Sequence, residues 1–195
     1  MKIHLTTFFL LASALIPSVA RAEAPVFQIT PESSSVTFYV QASVSIKGTF
    51  NKWDSTLTFT SPDVTTGVLT LKIQADSVNT GSGMKDGKLK SKDFFNAEQD
   101  PYITFVSKKV EQTGPNTFTL TGDFTIRGVT KTEALMLTIS GKGTGSGTIK
   151  GTMSFNRKDF GMNKGIPFVK ISDHVDVTVN LKGKRISGPP VKYKQ

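Results

Sequence analysis

The chain has 195 residues, with 24 Lys and Arg against 15 Asp and Glu for a formal net charge of +9, no Cys and two His. That length suits one domain with a substantial core, and the absence of Cys excludes disulfides and thiolate metal sites. The Lys residues are scattered over outward strand positions and form no single stripe, which argues against nucleic acid; solubility or an anionic membrane surface fits this mild charge better.

Residues 1–22 read as a secretory signal peptide. Lys2 gives a positive start, Leu5 to Ile16 is an uncharged apolar run too short to span a bilayer, and Ala20-Arg21-Ala22 is a small-x-small cleavage signal. Cleavage after Ala22 removes Lys2 and Arg21 and leaves 22 basic against 15 acidic residues, a charge of +7. The expected location is the periplasm, and the expected domain is 23–186, followed by an extended tail at 187–195.

From there apolar and polar residues alternate, the signature of strands with one dry and one wet face. The alternation predicts strands at Ser35–Gln41, Trp53–Thr60 and Val68–Asp76, with a shorter extended piece at Ser45–Phe50. Residues Gly81–Asn96 break the pattern and predict a short helix, weakened by Gly87, with Ser91 capping the turn before Asp93-Phe94-Phe95. Strands resume at Tyr102–Val110, Asn116–Arg127, Thr132–Gly141, Ser146–Phe155 and His174–Gly183. Gly114-Pro115-Asn116, Arg127-Gly128-Val129 and Gly143-Thr144-Gly145 are tight-turn sequences, and Gly122, Gly141 and Gly151 mark expected bulges or bends. The long connection Asn156–Asp173 carries Ile166, Pro167, Phe168, Val169 and Ile171, too apolar for a free loop, and is expected to fold over the barrel mouth.

Eight such strands predict an all-β antiparallel barrel with a short helical insertion. An outer-membrane barrel would turn its apolar face to lipid; the Thr, Lys, Ser, Gln and Asp of the polar face here suit a soluble barrel with an apolar interior. That interior is either a packed core or a room for an apolar ligand. Catalytic chemistry has little to work with. His174 alternates outward, no Ser-His-Asp or Cys-His set can form, and no phosphate loop or metal-ligand spacing is present. A hydrolase using Asp86 or Asp159 would need a buried carboxylate at the mouth. Trp53 reads as core, Arg127 as turn support, and Asn156 and Asp159 as turn caps.

Ser35-Val36-Thr37-Phe38, Gly48-Thr49-Phe50, Leu57-Thr58-Phe59, Asn79-Thr80-Gly81, the run Asp86 to Phe95, Asp100 to Phe105, Thr121 to Lys131, and Phe155 to Gly161 follow one another in a specific order and spacing. Together these segments resemble the YceI-like family of exported polyisoprenoid-binding proteins. The resemblance implies an extended, lipocalin-like barrel holding a polyprenyl phosphate or quinone-type chain, with no cofactor and no metal. Lys88-Leu89-Lys90 stands where the family usually has His-Leu-Arg, and Ala42-Ser43-Val44 where it has His-Leu-Gly. The lumen wall is then expected from Phe38, Leu57, Phe59, Leu71, Ile73, Phe94, Phe105, Phe118, Leu120, Phe124, Met153, Phe155 and Val177. Lys85, Lys88 and Lys92, at helical spacing, are either a solvated face or a cationic lip for a head group. Expected partners are the isoprenoid lipid, transiently an anionic membrane surface, and a second copy in a homodimer. The rival expectation is a ligand-free exported barrel serving as a stress-related interaction or inhibitor module.

Overall fold

The computed structural model describes residues 23–165 and 169–194. Residues 1–22, the expected signal peptide, lie outside the described residues, as do Ile166-Pro167-Phe168 of the expected mouth-covering connection and Gln195. The strands are β1 (Val26–Ile29), β2 (Ser35–Ala42), β3 (Ile46–Phe50), β4 (Trp53–Thr58), β5 (Val68–Gln74), β6 (Val78–Asn79), β7 (Tyr102–Gln112), β8 (Thr117–Ile126), β9 (Val129–Ser140), β10 (Ser146–Asn156) and β11 (Ile171–Ser187). The helix α1 spans Gly83–Lys90 between β6 and β7.

The chemistry of β8 shows why the sheet forms. Phe118, Leu120, Gly122, Phe124 and Ile126 are buried, while Thr117, Thr119, Thr121, Asp123 and Thr125 are not. A register slip of one residue would invert this face, so the alternation fixes the pairing. Every ladder is antiparallel, in the order β4-β5-β7-β8-β9-β10-β11-β2-β3-β6, with β1 also on β11. The path closes on itself: β3, next to last in it, runs through Asn51-Lys52 into β4 at its start, and β6, at its far end, follows β5 in the chain. The bent strand β3–β4 pairs with β2 through its first half and with β5 through its second. Counting bent pairs as single strands recovers the eight predicted ones.

The count of eleven differs for local reasons. Residues Ala75–Ser77 coil into a 3-10 turn that splits β6 from β5 at the barrel corner. Here Asn51 N–H donates to Ser77 O at 3.1 Å and Gln74 N–H to Lys52 O at 3.0 Å. β1 continues the line of β2 along β11, with Pro31–Ser33 as the break. On its other side β1 packs beside β4 without a ladder, held by the Phe27–Phe59 ring pair at 5.8 Å. This is a seam in the wall, and the β9–β10 ladder, which stops at Met136 and Thr152, leaves another gap toward the α1 end.

The glycine expectations divide. Arg127 and Gly128 form a two-residue hairpin loop with φ of 55° and 70°, as the twist of the strands requires. Gly122 faces a bulge in β7, where the register shifts between Ser107 and Lys109. Two corrections follow. Gly141 lies beyond β9 at φ 77°, in the β9–β10 loop rather than in a bulge. Gly151 sits in an unshifted ladder, where its missing side chain makes room for Leu135 and Leu137. A Cβ on Gly122 would run into the backbone of β7 at Val106 O. Gly122→Ala should therefore cost about 1–3 kcal/mol, read as a lowered urea midpoint; an unchanged midpoint would show that the bulge is not held by this close approach.

Candidate functional site

The inner face of the barrel encloses two chambers, one at each end. The chamber at the α1 end has about 80 Å³ of room. Its wall includes Val36, Phe38, Val40, Ile46, Phe50, Ile73, Phe94, Phe95, Phe124, Phe155, Val175 and Val177. Phe38, Phe50 and Phe95 pack ring against ring, with centroids 5.6, 6.4 and 5.8 Å apart. α1 buries only Leu89 and presents Lys85 and Lys88 to the chamber. Ser91, expected to cap the next turn, accepts from Asp93 N–H at 3.4 Å through its hydroxyl, which also donates to Lys88 O at 2.7 Å and so closes the end of α1.

The connection after β10 closes this end. Asn156 caps a 3-10 turn at Arg157–Phe160 by accepting from Lys158 N–H at 3.0 Å. Phe160 is 0% exposed and sits 5.2 and 5.3 Å from the rings of Phe124 and Phe155. Arg157, whose side chain is 7% exposed, donates to Ser172 O at 3.1 Å, Lys164 O at 3.1 Å, Met162 O, and Asp173 Oδ1 at 3.2 Å. Arg127 adds a bond to Gly161 O at 2.6 Å. The Lys158 ammonium at 2.8 Å, more than Arg157, holds the Asp173 carboxyl below the usual range. The loop is thus a lid fixed by one buried guanidinium.

The chamber at the other end has about 130 Å³ of room. Phe27, Ile29, Leu57, Phe59, Val110, Phe118, Leu120, Leu137, Ile139 and Ile149 line it, with a polar rim from the β9–β10 hairpin and Arg185. Pro190, Val191 and Tyr193 complete it. β11 runs to Ser187, and the residues after it turn back over the barrel end. Lys192 N–H donates to Pro62 O at 2.8 Å and Val64 N–H to Lys192 O at 3.0 Å. Gln112 takes Lys194 N–H at 2.8 Å and returns a bond to Lys194 O at 3.0 Å. Backbone pairing outcompetes solvation here because Tyr193 gains a ring contact with Phe118 (6.1 Å) and the Lys142 ammonium above it (4.1 Å). Burial raises the Tyr193 phenol pKa.

No residue is shared by the two linings. Between them lies a filled waist that includes Leu71, Phe105, Leu135 and Met153, all buried. Of the thirteen expected wall residues, Leu57, Phe59, Phe118 and Leu120 line the larger chamber. Phe38, Ile73, Phe94, Phe124, Phe155 and Val177 line the smaller. Leu71, Phe105 and Met153 border neither chamber. The single expected tunnel is two rooms with a waist.

Residues 27–183 match the sequence signature of the YceI-like domain. The chain belongs to the YceI-like family. It is 31% identical over 143 residues to a UPF0312 protein of Pseudomonas savastanoi pv. phaseolicola, covering 71% of this chain and 73% of that one. A UPF0312 protein of Shewanella denitrificans is 29% identical over 187 residues, covering 92% and 97%. Among solved structures, BcnA of Burkholderia cenocepacia superposes with a TM-score of 0.72 at 25% identity, over 80% of this chain and 99% of that one. A polyisoprenoid binding domain from Saccharophagus degradans superposes at 0.64 and 14% identity, covering 83% and 99%.

Within this YceI-like barrel the charged candidates separate. Lys92 is exposed and outside both linings. Lys88 bonds Asp93 at 2.7 Å and lies 5.8 Å from the Phe94 ring, so its charge is already paired; that bond holds the Asp93 carboxyl below its ordinary range. Lys85 lines the helix-end chamber without an ion pair among the described residues. His174 is exposed, and Asp86 caps the turn before α1 by accepting from Thr80 N–H at 2.8 Å and the Thr80 hydroxyl at 2.7 Å. Asp159 is exposed, and Trp53 packs against the core. Sequence reasoning missed Arg157, the tail and Ser55. The Ser55 hydroxyl is a buried side-chain oxygen without a partner among the described residues, opposite Leu71 and on the face of Trp53 and Leu57. A Ser at an inward position of an alternating strand was its only signal.

Proposed function

We propose that this YceI-like protein carries a long isoprenoid-type lipid in its barrel, and that it works in the periplasm after export. The observation that carries the reading is the pair of apolar chambers lying in line within one barrel. Each has far more than the ~10–15 Å³ one water needs, and dry apolar space of that size favours an apolar guest. Each buried CH₂ contributes about 0.8 kcal/mol, so a long chain is held by area with few polar contacts. A chain threading both chambers must move the waist, where Met153, unbranched and adaptable, is the side chain suited to yield. The unpartnered Ser55 hydroxyl offers a polar point along that path. The Saccharophagus degradans domain lends the fold at its 14% identity, so the cavities and not that likeness support the ligand class. Export is supported by the charge, length and cleavage pattern of residues 1–22.

The filled waist favours the rival reading, a ligand-free barrel acting through its surface. Organic extraction of protein purified from its own periplasm, followed by mass spectrometry, separates the two. Carriage predicts a co-purified isoprenoid, and added isoprenoid at a hundred times its Kd should stabilise by about 2.7 kcal/mol, roughly 5–11 °C in Tm. An empty barrel with an unmoved Tm would leave the surface reading standing. Val177→Phe, which fills the smaller chamber, should cut retained lipid at least about tenfold while shifting Tm by less than ~6 °C.

A further inference from the structure

The barrel wall has a seam without a ladder between β1 and β4, beside the larger chamber that Phe27, Ile29, Leu57 and Phe59 line. The segment 188–194 spans this seam. It leaves β11 where Ser187 pairs with Val26 of β1, and Gly188, at φ 76°, turns the chain against Ala24. It then reaches the β4–β5 connection, where Lys192 pairs with Asp63 in an isolated parallel bridge flanked by the bonds to Pro62 and Val64. One end of the strap is thus tied to the β1 side and the other to the β4 side. The strap lies beyond residue 183, where the match to the family ends.

We propose that the strap Gly188–Lys194 is the length determinant of the lumen, a proposal that rests on the carrier reading above. A guest that stops short of Tyr193 is held with the strap closed. A longer chain is admitted only when the bonds at Pro62, Val64 and Gln112 part and the strap swings off the seam. The fastening suits this: two backbone bonds at Pro62 and Val64, two through the Gln112 side chain and one half-buried ring, with no ion pair to the strap among the described residues. Such contacts open locally long before the barrel does.

The chain has no Cys, so a reversible lock is simple to install. The double variant Asp63→Cys with Lys192→Cys places thiols on paired residues, within the reach of a disulfide. Oxidised and reduced forms of this one protein, the disulfide confirmed by mass, are offered farnesol and the much longer solanesol. The expected result is farnesol uptake equal in both forms, and solanesol uptake slowed at least tenfold in the oxidised form and restored by dithiothreitol. Tyr193→Ala in the unlocked chain should quicken solanesol uptake. Equal solanesol rates in the oxidised and reduced forms overturn the strap proposal while leaving the carrier standing. Failure of every form, the unsubstituted chain included, to bind either alcohol overturns both.

Discussion

Phe160→Ala should lower stability by about 4 kcal/mol, the largest single loss expected in this protein, because a completely buried ring is removed from a three-ring cluster. At roughly 2–4 °C per kcal/mol for a domain of this size, the midpoint of thermal unfolding falls by about 8–16 °C. The ring packs against Phe124 and Phe155, which themselves line the smaller chamber, so its loss leaves a void beside that chamber. The surroundings cannot collapse to fill it, since each ring is held by its own ladder, Phe124 opposite Lys131 of β9 and Phe155 opposite Val175 of β11. Phe160→Leu, which keeps most of the volume, should recover more than half of the loss. A fall of less than about 1 kcal/mol in Phe160→Ala would show that the lid is not anchored here.

Arg157→Ala is the second. Its guanidinium satisfies three carbonyls and a carboxylate while almost wholly buried. Truncation strands the Met162, Lys164 and Ser172 carbonyls, and each unpaired buried group costs about 1–3 kcal/mol. Water will reach part of this mouth, so the expected loss is about 3 kcal/mol. Arg157→Lys should recover little of it, because one ammonium cannot spread donors over four acceptors in a plane. Hydrogen exchange offers the decisive readout. The amides of 157–165 should lose protection in Arg157→Ala while β8 keeps its own. If the lid stays protected, Phe160 alone holds it, and the arginine is dispensable.

The barrel was legible because its signal is repeated. Each of β2, β5, β7, β8, β10 and β11 carries alternation long enough to place its inner face, and the turns of the β8–β9 and β9–β10 hairpins announce themselves through glycine. What stayed hidden has no periodicity. β1 and β6 have four and two residues, too few to alternate detectably. The strap is ordered by bonds to Pro62, Val64 and Gln112, residues remote in sequence, and Gly-Pro-Pro reads locally as extended chain. Nothing in the sequence marked Arg157, because buried charge is rare and only the folded lid shows four acceptors converging on it. The waist was equally beyond reach. Alternation says which side chains point inward and nothing of whether those from opposite walls meet. Leu71, Phe105 and Met153 follow the same pattern as the residues around the chambers.

The seam between β1 and β4 has a further consequence for how copies of the chain behave together. An unpaired strand margin is a template for another strand, and barrels escape sheet-to-sheet aggregation only by leaving none exposed. Here two margins lie side by side with the strap across them. A chain clipped at Ser187 by a protease would bare both at once, and its neighbours would offer matching margins in turn. On the strap proposal, the bonds that meter the guest are expected to guard against polymerisation too, and clipping at Ser187 should turn a monodisperse sample into higher-order species on a sizing column.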